Sequence, residues 1–217
     1  MRHLGAADLA FAVSLATLAG YVDALGFLST GGFFVSFMSG NSTRLGVGVG
    51  RTDAPVILAA AGLISAFVLG VVAGSLAARL GARRQRSVVL AVVTLALTAA
   101  VIARALGFAL ATPVLLAVAM GAENAVFQRD GQPGFGITYM TGALVQICQG
   151  LARRLVGEPG GDWQRFLWLW AGLSGGAVLG AALWGHLADA AFALAPLGAA
   201  ALCAWALALD RRSHSAV

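Results

Sequence analysis

The chain has 217 residues, of which 59% are hydrophobic and only 11% are charged, and its mean hydropathy is +0.87. Soluble domains carry roughly a quarter charged residues, so this composition excludes a soluble globular protein and indicates an integral membrane protein. The net charge of +5 comes largely from arginines in short connections such as residues 82–86. No basic face with interleaved aromatic residues is present, so we expect the lipid bilayer, and no nucleic acid, as a partner.

The first apolar segment, residues 7–28, resembles a signal peptide because Arg2 precedes it and small residues follow at 17–19. Its length of about twenty apolar residues suits a span of the ~30 Å hydrocarbon core better, so we expect it to be retained. Cys148 and Cys203 both lie in apolar runs and are expected to pack as small apolar groups. No metal-ligand spacing or nucleotide-binding loop is present, so we expect no cofactor, no metal and no catalytic residue.

Clusters of Gly, Pro and charge divide the chain into eight apolar segments. Six are long enough for a full membrane helix, whereas 33–50 and 135–152 are shorter, rich in Gly, Ser and Thr, and interrupted by polar groups. These two are predicted to be broken or re-entrant helices. The segments run approximately 7–28, 33–50, 54–80, 87–105, 109–128, 135–152, 165–188 and 190–209.

The two halves of the chain match at a constant shift of 102 positions between residues 32 and 74. The contiguous block 32–40 against 134–142 is the strongest part of this match. With a shift of about 100 to 101, residues 20–24 face residues 121–125, which places an acidic residue in the same helix of each half. The sequence therefore predicts one transmembrane domain, residues 1–217, with repeat 1 at approximately 7–105 and repeat 2 at 109–209.

The arginines predict the topology, because cytoplasmic loops carry an excess of basic residues. If all eight segments crossed, Arg2 and the 83–86 cluster would lie on opposite sides. If the two short segments dip in and return, the basic clusters share the cytoplasmic side, and Arg44 and Arg51 are the exceptions. Those clusters are the N-terminus, 83–86, Arg129, 153–154 and 211–212. Six spans with cytoplasmic termini, three per half, make the second repeat inverted, an all-α architecture typical of transporters.

Asp23 lies about sixteen residues into the first span, where a charge requires a partner, water or the bundle interior. Two interpretations stay open: a structural carboxylate bound to a helix end or paired with Arg44 or Arg104, and a group that couples protons or ions. Glu123 and Asn124, in the matching helix, are interpreted in the same two ways. Burial would favour the protonated form of these carboxyls, and a nearby arginine would oppose it.

Polar runs interrupt both short segments. Residues 38–43 contain Gly40 and Asn41, and residues 138–142 contain Thr141 and Gly142. Such runs allow the backbone to unwind and leave its polar groups to protein, water or a solute; a kinked, continuous helix is the alternative. We predict that Gly40 and Gly142 lie close together near the membrane midplane, where both elements would share a wet cavity.

Small residues recur every fourth position in the third and seventh segments. Gly70 and Gly74 lie in the third, and Gly172, Gly176 and Gly180 lie in the seventh. Backbones approach closely along such faces, so these helices are expected to cross each other or a neighbouring subunit, which would make a homo-oligomer.

The chain resembles the YoaK-like family of bacterial inner-membrane proteins, a domain of unknown function. The resemblance rests on residues 20–27, 37–41, 120–125 and 140–142, and covers nearly the whole chain. It implies a multi-span protein of the bacterial inner membrane with no agreed activity, substrate or cofactor. Glu123 stands where glutamine is common in that family, and Ala143 stands where a hydroxyl residue is common.

Three functions are compatible with these features. The first is a small-solute transporter or channel whose site lies between the two broken elements and uses Asp23, Asn41, Asn124 and the backbone at Gly40 and Gly142. The second is a membrane scaffold or regulatory protein. The third is an intramembrane enzyme in which Asp23 and Glu123 form an acid and base pair, and it is the weakest because no catalytic motif accompanies them.

Overall fold

The computed structural model describes residues 5–81, 84–128 and 140–212, and every regular element in these ranges is helical. Several predicted features lie outside them: Arg2, Arg83, Arg129 and the part of the repeat at 134–139. The helices are α1 (Ala6–Ser29), α2 (Met38–Arg51), α3 (Ala54–Leu80), α4 (Gln85–Ala105), α5 (Ala111–Glu123), α6 (Met140–Leu155), α7 (Trp163–Leu187) and α8 (Leu194–Arg212), with a 3₁₀ segment at Ala188–Ala193 between the last two.

Four helical stretches in the described residues are long and apolar enough to cross a membrane. They are Ala6–Ser29, Ala54–Leu80, Gln85–Ala105 and Trp163–Arg211, the last of which includes both α7 and α8. The span predicted at 109–128 is shorter than expected, because α5 has 13 residues and ends at Glu123. Asn124 follows it, and its side-chain amide donates to the Met120 carbonyl in competition with the helix backbone.

Two ends of the bundle are defined by contacts between helix termini. At one end, called the basic end, Arg86 of α4 lies 2.7 Å from Asp8 of α1, and the Ser87 hydroxyl donates to Asp210 of α8 at 2.8 Å. At the opposite end, Arg104 pairs with Asp189 at 2.5 Å. Helices α1 and α4 both start at the basic end and therefore run parallel. The chain must cross the bundle an even number of times between these two starts. Eight crossing segments would have separated these starts, so that alternative is wrong.

Two helix crossings build the centre of the bundle. In α3, a Cβ atom at Gly70 or Gly74 would overlap the carbonyl oxygens of Val118 or Ala122 in α5. Both positions advance by four residues, so α3 and α5 run parallel.

The other crossing joins α7 to α1 in the same way. Cβ atoms at Gly172, Gly176 and Gly180 would clash with backbone carbonyls of Val13, Thr17 and Tyr21. These glycines therefore pack within the chain, and oligomerisation through another face stays a prediction.

The segment that follows α1 turns back along it. Residues 31–37, called the arm, are irregular and return from the opposite end to the level of Gly26, where a Cβ atom would meet the Val35 side chain. The chain then reverses as α2, whose 14 residues span about 21 Å, and α2 packs antiparallel on α3. Residues 31–51 thus turn back along α1 and then reverse, and a re-entrant course of segment 33–50 in the membrane stays a prediction.

The helices α2 and α6 lie apart. Helix α2 packs on α3, α6 packs on α7, and no Cα atom of α2 comes within 8 Å of one in α6. The prediction that Gly40 and Gly142 meet is therefore wrong, and so is the shared cavity that depended on it. The reason is that the α3–α5 and α1–α7 crossings occupy the centre, so each short helix is held on the flank of its own half.

Candidate functional site

Asp23 is a buried carboxylate that holds the arm in place. It is 5% exposed, and its Oδ1 accepts hydrogen bonds from the backbone N–H groups of Val35 and Ser36 at 2.8 and 2.7 Å. An irregular segment inside a helical bundle has no helical partner for its amides, so a carboxylate acceptor satisfies two of them. The structural interpretation of Asp23 therefore accounts for its burial.

Asn41 holds the same arm from α2. The side chain is fully buried, its Oδ1 accepts from the Phe34 N–H at 3.0 Å, and its Nδ2 donates to the Phe34 carbonyl at 2.6 Å. Both backbone groups of Phe34 are thus satisfied by one side-chain amide. Gly40 lies beside the Phe34 ring, which a Cβ atom would overlap. Asp23, Gly40 and Asn41, three of the predicted site residues, therefore lie around the arm.

The details of that element differ from two expectations. The polar run at residues 38–43 is helical and starts α2, and the unwound part is the arm before it. In addition, Asp23 pairs with neither arginine: the Arg44 guanidinium lies 4.9 Å from the centre of the Phe33 ring, and Arg104 pairs with Asp189.

Glu123 is the other predicted carboxyl, and its surroundings are different. It is 1% exposed, and neither carboxylate oxygen has a hydrogen-bond partner among the described residues. It lies on the same face of α5 as Leu116 and Met120, both buried, and Phe127, in the turn after α5, packs against Phe11 of α1. The carboxyl is therefore enclosed in an apolar layer of the core.

The remaining predicted site residues are separated from the first group. Asn124 is half-buried at the C-cap of α5. Thr141 and Gly142 are helical and exposed in the first turn of α6, and nothing lies within 4 Å of a Cβ atom built at Gly142. The structure thus places Asp23, Gly40 and Asn41 together and Glu123 beside Asn124.

Asp23 and Glu123 lie at different levels of the bundle. Helices α1 and α5 run antiparallel, and Phe11 and Phe127 mark a common level with ring centres 6.0 Å apart. Asp23 follows Phe11 by twelve residues and Glu123 precedes Phe127 by four, so they lie roughly 12 Å apart along the helix axes. Direct proton exchange requires hydrogen-bond reach, so this geometry does not support an acid and base pair.

Two residues that the sequence did not single out tie the site to the rest of the bundle. The Tyr21 hydroxyl donates to the Ala191 carbonyl at 2.7 Å, and Gln85 Nε2 donates to the carbonyls of Ala125 and Gln128 at 3.1 and 2.6 Å. Tyr21 lies only two residues before Asp23, which was a usable signal. Gln85 begins α4 between Arg84 and Arg86, and the sequence pattern of this basic cluster indicated only topology.

Known proteins resemble this chain over most of its length. Residues 11–208 match a family described as "Protein of unknown function (DUF1275)". The UPF0700 transmembrane protein RA0705 of Rhizobium meliloti (strain 1021) is 37% identical over 215 residues, which cover 99% of this chain and 92% of that protein. The UPF0700 transmembrane protein YoaK of Bacillus subtilis (strain 168) is 28% identical over 148 residues, 65% of this chain and 66% of that protein. No solved structure matches.

Apolar helices long enough to cross a bilayer, together with relatives named as transmembrane proteins, define an all-helical membrane protein. The chain belongs to the DUF1275 family, and the resemblance to YoaK found in the sequence is confirmed.

Proposed function

We propose that this protein is a proton-coupled transporter of a small solute in the bacterial inner membrane, and that Glu123 is the residue that carries the proton. The observation that supports this proposal is the complete burial of Glu123 with both carboxylate oxygens unpartnered among the described residues. Ionisable groups inside a membrane bundle are costly and commonly mark proton or ion pathways.

The chemistry of Glu123 fits such a function. An ionised carboxylate without a partner is far more costly to bury than the neutral acid, so the enclosed site favours the protonated group. If the site opens to water, the cost of ionisation falls and the proton leaves. A single side chain would thereby link proton release to a change of bundle conformation. No second protein group is needed for that step.

An alternating-access mechanism requires two halves that move against each other. We propose that repeats 1 and 2 are inverted copies, because the α3–α5 crossing has a counterpart in the α7–α1 crossing. A Cβ atom at Gly121 would overlap the Phe67 carbonyl, and one at Gly20 would overlap the Leu173 carbonyl. Since α1 and α5 are antiparallel, the copies have opposite orientations, and rocking of one half would alternate access.

The crossings also refine the register of the repeat. The sequence aligned Gly70 with Gly172, but Gly70 and Gly176 are the pair that contact a helix carbonyl in equivalent ways, at Val118 and Thr17. In the proposed repeat, α7 is therefore offset from α3 by one helical turn relative to the alignment of the sequence. The α1 and α5 carbonyls correspond at a shift of 101, which makes Asn124 the counterpart of Asp23.

The proposed solute site is also revised. Asp23 and Asn41 direct their polar atoms at the arm, so we assign them to its support and centre the site on Glu123 and Asn124. Thr141 and Gly142, exposed on α6, stay candidates for solute contacts. The basic end carries Arg79, Arg84, Arg86, Arg153, Arg154 and Arg211, so we propose that it faces the cytoplasm.

A carbodiimide experiment tests the state of Glu123. Dicyclohexylcarbodiimide reacts with protonated carboxyls in apolar surroundings, so the purified protein should take up one label per chain, detected by intact mass. Glu123→Gln should remove the label, and Glu158→Gln, the same change at an exposed position, should keep it. A label that survives in Glu123→Gln would contradict the assignment.

A flux measurement tests coupling. Vesicles containing the protein and an internal pH dye are exposed to panels of amino acids, sugars and organic acids. A solute that moves protons through the native protein and the Glu158→Gln control, but not through Glu123→Gln, would support the proposal. Equal solute uptake by all three proteins would show that transport does not depend on Glu123. Absence of any flux would favour a scaffold function.

A further inference from the structure

We infer that a cavity at the opposite end of the bundle, between α2 and the start of α3, binds a phosphate group carried by an anionic lipid or free in solution. The cavity has a volume of about 230 Å³, and the side chains that line it include Arg44, Arg51, Val47, Asp53 and Val56. The inference is independent of the proposed transport function, because these residues belong to α2 and the start of α3 and do not include Glu123 or Asn124.

The two arginines converge on this cavity from one face of α2. They are seven residues apart, or about 10 Å along the helix, which is two turns. Arg44 is half-buried, and its guanidinium is held 4.9 Å from the centre of the Phe33 ring. Arg51 is exposed in the last turn of α2. One guanidinium is thus fixed in position and the other can close over a ligand.

Neither arginine forms an ion pair with an acidic side chain of the described residues. The ion pairs among the described residues join Arg86 to Asp8 and Arg104 to Asp189. Arg104, which also lies at this end of the bundle, is therefore already paired. Asp53 also lines the cavity, but its carboxylate accepts from the Val56 N–H at 3.3 Å and lies beyond ion-pair distance of both guanidinium groups. The cavity therefore retains a net positive charge.

The donor set indicates phosphate as the ligand. Guanidinium groups present planar, paired N–H donors that match phosphate oxygens, and two of them balance the charge of a phosphate ester better than that of a neutral sugar or amine. The cavity is smaller than most drug-sized ligand sites, which suits a headgroup. Val47 and Val56 supply an apolar wall of the kind that a glycerol backbone or acyl chain would contact.

Lipid titrations of the purified protein test this inference. Dioleoylphosphatidylglycerol in mixed micelles should raise the melting temperature and be retained in native mass spectra, and dioleoylphosphatidylcholine should do so less. Arg44→Gln and Arg51→Gln should each weaken the apparent affinity for phosphatidylglycerol by about tenfold. Arg79→Gln, an exposed arginine toward the basic end, should change it by less than about twofold.

Further measurements distinguish a lipid headgroup from free phosphate as the ligand. Stabilisation by inorganic phosphate that competes with phosphatidylglycerol would show that the phosphate group alone is sufficient, and stabilisation by the lipid alone would assign the site to headgroups. Arg51 is exposed, so its variant should fold even if the Arg44 variant does not. Equal affinity for phosphatidylglycerol in the native protein and in Arg51→Gln would overturn the inference.

Discussion

The two buried carboxyls, Asp23 in α1 and Glu123 in α5, lie in helices that the sequence predicts to be equivalent, but their hydrogen-bonding environments differ. Asp23 accepts two backbone hydrogen bonds from the arm, whereas Glu123 has no described partner. A buried carboxylate that accepts two amide hydrogen bonds is a structural group. A carboxyl enclosed by apolar side chains lacks hydrogen-bond partners, and water, a proton or a solute can supply them. The comparison shows that burial of an acid in a membrane bundle does not by itself indicate function.

The largest expected effect comes from removing the satisfied carboxylate. Asp23→Ala leaves the Val35 and Ser36 amides buried without an acceptor, and at about 1–3 kcal/mol per group the variant should lose roughly 2–6 kcal/mol of unfolding free energy. Thermal unfolding in detergent measures the loss. Asp23→Asn keeps an acceptor oxygen and should lose only about 1–2 kcal/mol. Equal stability of Asp23→Ala and the native protein would show that the arm is held by other contacts.

The opposite sign is expected at the unpartnered carboxyl. Glu123→Met keeps a similar volume and removes a buried polar group without a described partner, so the variant should gain roughly 1–3 kcal/mol of stability while losing proton coupling. The same unfolding measurement applies. Glu158→Met, at an exposed position, should change stability by less than about 0.5 kcal/mol. A destabilised Glu123→Met protein would indicate that Glu123 has a hydrogen-bond partner after all.

The two halves should respond alike at their crossings, even though they differ at their carboxyls. Gly20→Ala and Gly121→Ala each force a Cβ atom against a carbonyl of the crossing helix, so each should lose about 1–3 kcal/mol. Gly62→Ala, with nothing within 4 Å of its Cβ position, should gain up to about 1 kcal/mol. Matched melting curves provide the test, and a large loss in one half alone would argue against equivalent crossings.

The smallest effect concerns access to Glu123. Gln85 joins the start of α4 to the end of α5, and the Arg86 guanidinium lies 5.4 Å from the centre of the Phe127 ring. Gln85→Ala removes the hydrogen bonds that join α4 to the residues after α5. The variant should therefore be labelled by the carbodiimide at Glu123 several-fold faster, with little change in melting temperature. Gln146→Ala, which removes an exposed amide from α6, should label at the native rate. An unchanged rate in Gln85→Ala would place the access route elsewhere.

The sequence by itself determined the elements whose signals are local. Continuous apolar runs bounded by Gly, Pro and charge located α1, α3, α4 and α7 to within two residues, because each helix satisfies its own backbone and its length is set by the bilayer. The same signals predicted the re-entrant segment at 33–50, and the acidic residue within each first helix of the two halves was visible as a charge in an apolar run.

Tertiary structure decided which groups meet. The arm, not the polar run at 38–43, is unwound, because Asp23 and Asn41 supply its hydrogen-bond partners from two different helices. Close backbone crossings at Gly20 and Gly121 fill the centre and hold α2 and α6 on separate flanks, so Gly40 and Gly142 stay apart. Hydrogen bonding and close packing between elements depend on relative helix position and rotation, which local periodicity does not encode. For that reason two acids with similar sequence signals have opposite environments.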